Sequence, residues 1–507
     1  MPELMENILN NLDKEFNSLY SCALVSRHWC KISIPILWQD PFYFDYKPLI
    51  ISEYLSSLGK DEKIYLQSML KAFEINTQFP QTIFDYANFL KVLDLYLLKS
   101  KVQDWLRFQR CPKASYNILT FTIIKLLIKK FIESGAILQE LYLDFSVLDE
   151  IQPEIFCSLE QNMQFLSRLQ DLSIKSISFN SNFNIESVAT LLKILEKGTT
   201  KLNTLKIEVP VFCDPQLVHS LVCIINSQEQ LKQIYMVDTY GFSENLPSIT
   251  SALKSQKQSL REVRIEGCNF IEVIKVLMNF ENLETFRVRN CEFSNNRELL
   301  KILEKNFYKI KTFEVTDVEF DTLIIVRCIK KFGSLLQRLK LESIGIDFVE
   351  KSLLLKTIKS FCPNITYLYI RDIGLSAQFQ ELIGNLQKLQ FLTLYDPADV
   401  DEITEEELRR QMMQFARILP STLQYLDIMR SQLNSYIYIL LNHCNAPLKK
   451  LIISQLNDEK NAKALIEFSI RKRTLSYVGV RDLNNTFQKE MKGYVTLVSF
   501  EDAVVGC

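Results

Sequence analysis

One spacing recurs from Leu138 almost to the C-terminus: an apolar residue, two others, a second apolar residue, one other, and a third. It stands as LQELYL at 138, LQDLSI at 169, LNTLKI at 202, LKQIYM at 231, LREVRI at 260, LETFRV at 283 and IKTFEV at 310. It continues as LQRLKL at 336, ITYLYI at 365, LQFLTL at 389, LQYLDI at 423, LKKLII at 448 and LSYVGV at 475, so that thirteen copies start 23 to 34 residues apart. Repetition at such a period decides the architecture before any local motif does. The last two apolar residues of each copy stand two apart, the period of a short strand with one buried face, and the first marks the chain's entry into it. In many copies the pattern runs on to the residues eight and ten places after the start, as in Cys268 with Phe270, Cys291 with Phe293, Val318 with Phe320, Ile344 with Ile346 and Ile373 with Leu375. Between copies the period becomes helical. In SVATLLKILEKG from Ser187, the residues Val188, Leu191, Leu192 and Leu195 share a side, and Gly198 falls where a C-cap is expected.

A single strand-plus-helix unit of this size cannot hide its apolar face, whereas stacked neighbours form one continuous core. The full pattern resembles the leucine-rich repeat, with cysteine at that family's Asn/Cys position. The expected fold is therefore α/β: a solenoid of about thirteen repeats over residues 136–507, closed by a C-terminal cap. The resemblance places parallel strands on the concave face and helices on the convex face. Residues 46–135 carry amphipathic stretches such as YANFLKVLDLYLLKSKVQDWL from Tyr86 and read as a helical linker or N-terminal cap.

Composition fits. At 507 residues the chain exceeds one compact core, and several domains or a solenoid are expected. With 59 basic and 60 acidic residues it offers no overall positive field for nucleic acid or anionic lipid, so neither is an expected partner. The 12 cysteines include no C-x-x-C pair, and several occupy repeat-core positions, as reduced thiols acting as small hydrophobes do; a cytoplasmic or nuclear protein is expected. The N-terminus lacks the blocks of a signal peptide. The most apolar later segment, ILTFTIIKLLIKKF from Ile118, is broken by Lys125, Lys129 and Lys130, and no membrane span is expected. Cys507 is not fourth from the end, where a prenylation signal would place it.

Residues 1–42 carry a second pattern. Pro2 opens a short helix with Leu4, Ile8, Leu9 and Leu12 on one face. A second helix bears Leu19, Cys22, Val25, Ser26 and Trp29, with a V-S-R-x-W sequence at 25–29, and a third element, ISIPILW, ends in Leu37 and Trp38. This order and spacing resembles the F-box, here assigned to residues 1–45, although Met1 replaces a leading leucine and Lys14 and Glu15 stand where the family often has aspartate and leucine. Independently of the family, a helical trio of this size needs a neighbour, either within the chain as a capping bundle or in a partner. The resemblance implies a Skp-type adaptor as that partner, and through it cullin and RING subunits of a ubiquitin ligase. Adaptor contacts are expected from Pro2, Leu4, Ile8, Leu9, Leu12, Leu19, Val25, Trp29, Leu37 and Trp38.

Catalytic patterns are absent from the sequence. The three histidines, His28, His219 and His443, are isolated, with no H-E-x-x-H and no zinc-ligand spacing. There is no P-loop, G-x-G-x-x-G or G-x-S-x-G sequence, so no cofactor, metal or catalytic residue is expected. The acidic run DEITEEE from Asp401 has capping-box spacing at Thr404 and Glu407, and RKR at 471–473 suits the end of the helix before it.

The third, fifth and seventh residues of each copy project from the strand face. From 260 to 342 they include Arg264, Arg287, Arg289, Arg338 and Lys340 among glutamates; from 365 onward they become Tyr367, Tyr369, Arg371, Phe391, Tyr395, Tyr425 and Tyr477. Tyrosine and arginine are frequent interface anchors, so Arg264, Arg287, Arg289 and this aromatic set form the expected substrate surface. Mutual stacking of the rings within the sheet is the alternative, and paired arginines also suit phosphate on a phosphorylated partner. An F-box followed by such repeats resembles fungal-type substrate receptors of Skp/cullin/F-box ligases, in which one module docks on the ligase and the other holds a protein substrate. Catalysis would then come from proximity, with no reacting group on this chain. A scaffold without ubiquitin transfer and a repeat protein that regulates an enzyme are the other two classes.

Overall fold

A computed structural model describes residues 2–12, 15–44, 49–148, 153–175, 185–209, 214–238, 245–277, 280–291, 309–318, 322–342, 348–371, 373–396, 404–454, 456, 458–481, 491 and 493–504. The chain divides into two compact units, Met1–Ser259 and Leu260–Cys507.

The first unit opens with α1 (Pro2–Asn10), α2 (Phe16–Ala23) and α3 (Arg27–Leu37), followed by α4 (Leu49–Ser56), α5 (Lys60–Ala72), α6 (Leu95–Phe108) and α7 (Tyr116–Glu133). Its strands are β1 (Val92–Asp94), β2 (Glu140–Asp144), β3 (Asp171–Lys175), β4 (Thr204–Glu208) and β5 (Gln233–Val237), all parallel and paired in sequence order. The second unit holds β6 (Glu262–Glu266), β7 (Thr285–Arg289), β8 (Thr312–Thr316), β9 (Arg338–Glu342), β10 (Tyr367–Arg371), β11 (Phe391–Asp396), β12 (Tyr425–Ser431), β13 (Lys450–Ile453), β14 (Tyr477–Val480) and β15 (Thr496–Ser499), again parallel neighbours in order. Each of the thirteen copies forms one strand, starting at the third residue of the pattern. The pattern's three apolar positions are buried, as in Leu202, Leu205 and Ile207 or Leu336, Leu339 and Leu341. A solenoid of strand-and-helix repeats is therefore the fold of both units.

Most repeats start on the same backbone device. The carbonyl of the second pattern residue accepts two successive N–H groups from the next repeat: Gln139 takes those of Gln170 and Asp171 at 2.8 and 3.1 Å, and Gln337 those of Thr366 and Tyr367 at 2.7 and 3.1 Å. Cysteines at the Asn/Cys position work in the same turn region, where the Cys268 and Cys291 thiols donate to the carbonyls of Glu266 and Arg289. Buried glutamines stitch the other end of the repeats in the first unit. Gln228 accepts from Leu202 N at 3.0 Å and donates to the carbonyl of Ile224, while Gln256 donates to the carbonyls of Ile225 and Gln228. Buried amides this fully paired stabilise the stack, because losing one partner would leave the others desolvated without compensation.

The structure departs from the sequence reading at three points. The stretch from Tyr86 is not one amphipathic helix: it forms a short 3-10 turn at Tyr86–Phe89, then β1, then α6. Leu90, Leu93 and Leu95 keep the repeat spacing and are buried as a strand's apolar set, and Asp94 caps α6 by accepting from Leu97 N at 3.0 Å. The sheet thus begins inside residues 46–135. It also ends one strand later than the copies do, at β15. Gly198 is the last residue of its helix, where a Cβ would meet the flexible Met163 methyl at 2.8 Å and Leu166 Cβ at 3.4 Å. The apolar faces of the helix Ile185–Gly198 and of α7 are buried as expected. No helix among the described residues is long and apolar enough to cross a membrane.

Candidate functional site

Two surfaces carry the expected site residues. At the N-terminus, α1 to α3 enclose a small core of Leu9, Leu19, Ile36 and Leu37, with Leu12, Phe16, Cys22, Trp29, Ile32, Ile34 and Trp38 packed around it. The V-S-R-x-W sequence has a local cause: Ser26 is the N-cap of α3 and its hydroxyl accepts from Trp29 N at 3.3 Å. Leu9, Leu19 and Leu37 are fully internal, which corrects their expected place at the adaptor surface: a three-helix unit this small needs its largest aliphatics for its own core. Leu12, Trp29 and Trp38 are partly buried in the same cluster. Pro2 and Leu4 lie in α1, but their side chains are outside the described residues. Ile8 and Val25, 55% and 66% exposed, are the expected contacts that do face outward, and Leu24, 70% exposed, and Tyr20, 50%, join them. The three helices thus leave these four large apolar side chains in water.

Trp38 instead faces into the chain. Its ring stacks on Tyr86 and meets Tyr54 edge-on; Tyr54 in turn packs against Phe42 and Phe131. Burial raises the Tyr54 phenol well above its ordinary value, with the nearby negative charges of Asp40 and Asp85 adding to the effect. The helical trio is thus fastened to α4 and α7 through aromatic packing.

The second surface is the strand face opposite the helices, where the third, fifth and seventh pattern residues lie in rows. Over β6 to β8 these rows hold Arg264, Arg287 and Arg289 with Glu262, Glu266 and Glu314. Arg287 is bonded to Glu262 and lies 3.1 Å from Glu314; Arg289 lies 3.0 Å from Asp317 and 3.9 Å from Glu266. The hydrogen bond that Arg289 donates to Asp317 and the Glu266 charge raise the Arg289 pKa further. Arg264 projects outward. This stretch, read from sequence as basic, is a balanced lattice, and Arg287 and Arg289 are already committed to carboxylates.

Over β9 to β14 the expected aromatic set is in place but differently disposed. Tyr367, Tyr369 and Tyr425 are buried, Phe391 and Tyr395 partly so, and Tyr477 is 44% exposed. Tyr367, Phe391 and Tyr425 follow one another across three strands with ring centroids 6.4 and 5.8 Å apart. Tyr425 and Ile452 form a cluster that Phe391, Met429, Val498 and Phe500 complete, so the C-terminal residues cover part of the surface expected to be open. Ring–ring packing along a row of parallel strands, the alternative given above, accounts for this burial. Each outer ring carries a cation: Arg338 lies 4.6 Å from Tyr367, Lys340 5.0 Å from Tyr369, Arg371 4.4 Å and Arg430 5.5 Å from Tyr395, and Lys450 5.6 Å from Tyr477. Sequence reasoning missed Arg430 and Lys450. Arg430 was hidden by a register shift between β11 and β12 that moves it into the row of Tyr395.

Among the described residues no group of three or more His, Cys, Asp or Glu side chains could hold a metal. The strand face offers ordered cations and rings. No curated protein matches the sequence. Among solved structures the chain is similar to a protein from Bacteroides fragilis at 15% identity and TM-score 0.25, covering 56% of this chain and 68% of that one, a likeness that bears on neither fold nor function. Residues 2–43, which include the three N-terminal helices, match the F-box-like family, and the chain carries at its N-terminus an F-box-like domain.

Proposed function

We propose that the chain is the substrate-recognition subunit of a cullin-RING ubiquitin ligase of the Skp/cullin/F-box type. The F-box-like domain docks on a Skp-type adaptor, and the repeats hold a protein substrate. The observation that carries this reading is the match of residues 2–43 combined with the exposure of Ile8, Tyr20, Leu24 and Val25 beside a core of Leu9, Leu19, Ile36 and Leu37. The chain contributes no reacting group; it raises the effective concentration of a substrate lysine near a charged conjugating enzyme. A cytoplasmic or nuclear place of action belongs to the same proposal.

The test is co-expression with a Skp-type adaptor and cullin, comparing the natural chain with an Ile8→Lys, Val25→Lys variant. These positions are exposed, so the variant should fold with unchanged far-UV circular dichroism and lose the adaptor. Adaptor retained by that variant would remove the docking face proposed here, and no adaptor captured by either form would end the ligase reading. Adaptor binding without cullin recruitment would leave the scaffold role.

A further inference from the structure

The three face rows do not carry the same charge along the second unit. Over β6 to β8 three arginines meet three glutamates, and Arg287 and Arg289 make ion pairs with carboxylates. Over β9 to β13 the rows hold Arg338, Lys340, Arg371, Arg430 and Lys450 against only Glu342 and Asp427. Neither carboxylate balances them all: Glu342 pairs with Arg371 at 3.3 Å, and the half-buried Asp427 accepts from Met429 N at 3.0 Å and feels the charge of Arg430 without coming within ion-pair distance of it. Among the described residues, Lys340, Arg430 and Lys450 have a tyrosine ring as partner and no carboxylate within ion-pair distance.

We infer that the β9–β13 strand face takes an acidic segment of a partner protein, its Asp or Glu carboxylates engaging Lys340, Arg430 and Lys450. This rests on the reading that the repeats capture a protein, and it names the chemistry of what is captured. The geometry favours carboxylates for three reasons. A cation held over a ring keeps its N–H donors directed outward, and Arg430 can meet a carboxylate with two parallel hydrogen bonds. The rings limit the side-chain freedom that would otherwise be lost on binding. The surplus of positive charge is local, in a chain whose formal net charge is -1. It is therefore a feature of this face. From β9 to β13 there are four strand steps of about 4.8 Å, a width that an extended segment of about six residues spans.

The test pans an unphosphorylated random peptide library against the full chain and against two variants of equal charge change. Lys340→Gln, Arg430→Gln, Lys450→Gln removes the surface cations. Lys330→Gln, Lys356→Gln, Arg417→Gln removes three exposed cations from helices. Equal thermal unfolding of all three proteins establishes that the face variant folds. The expected result is enrichment of Asp/Glu-rich peptides by the natural chain and by the helix variant. Their binding should weaken with added salt and be roughly tenfold or more weaker on the face variant. Neutral or basic peptides enriched, no enrichment, or acidic peptides indifferent to the face variant would each overturn the inference. Adaptor capture, scored on the same preparations, separates the two claims: adaptor bound without acidic peptides defeats only this inference, and peptides bound without adaptor defeat only the ligase reading.

Discussion

The indole of Trp38 lies stacked on the phenol ring of Tyr86, with centroids 3.9 Å apart and planes 22° from parallel. The residue that ends the F-box-like pattern thus joins that domain to the turn leading into β1. Trp38→Ala should destabilise the first unit by about 3 kcal/mol, since truncating a packed indole loses both its apolar area and its ring contacts, whereas Trp38→Phe should keep most of the stability. The chain's three tryptophans, Trp29, Trp38 and Trp105, all lie in the first unit, so indole fluorescence during urea unfolding reports on that unit alone. An unchanged midpoint for Trp38→Ala would mean that the stack contributes nothing to that unit.

Arg287 stands between two glutamates on neighbouring strands. Its replacement by methionine leaves Glu262 and Glu314 close together and partly shielded from water, and should cost about 1–3 kcal/mol. Adding Glu314→Gln should restore part of that loss. Denaturation followed by far-UV circular dichroism measures both; a double variant less stable than the single would contradict the pairing.

Burial pushes the thiols of Cys291, Cys328 and Cys362 up to about 12, and that of Cys444 up to about 11, against an ordinary value of 9. An unfolded chain releases these protons near pH 9 while the folded chain keeps them, so the stability they contribute is fully present below pH 9 and falls as pH rises toward 12. Unfolding midpoints measured across that range should decline. At pH 8, iodoacetamide mapping should label exposed Cys157 first and spare Cys328 until the protein unfolds.

Phe500 belongs to the cluster that covers Tyr425, a residue only 1% exposed. Phe500→Ala should make the Tyr425 ring available to nitration by tetranitromethane, with protection in the natural chain. Equal modification in both proteins would show that β-strand neighbours alone bury the ring.

The strands were legible because their spacing repeats in register thirteen times, a signal that does not depend on distant contacts. β1 was obscured because LKVLDL at 90 runs straight into the helical period of α6, and the helix dominated the reading. At the strand face the alternation placed Tyr367, Tyr425 and Tyr477 in one row, as observed, but not their differing burial. That burial is set by residues far along the chain, Val498 and Phe500 around Tyr425, and by which rings stack on which neighbours. The N-terminal helices show the same limit from the other side: the apolar pattern contained both core and exposed residues, and only packing separates Leu19 from Val25.

The carbonyl of Gln39, just after the F-box-like helices, accepts the N–H groups of Lys91 and Val92, each at 2.9 Å, and Lys91 does the same for Gln139 and Glu140. This is the two-fold acceptance that starts most later repeats, so Gln39 serves as a rung ahead of the first strand. The F-box-like module is consequently not a pendant that can be cut off and transplanted at will. A graft onto another repeat array must bring its own terminal carbonyl into register with that array's first strand, and proline at Lys91 or Val92 would sever the splice even with both modules intact.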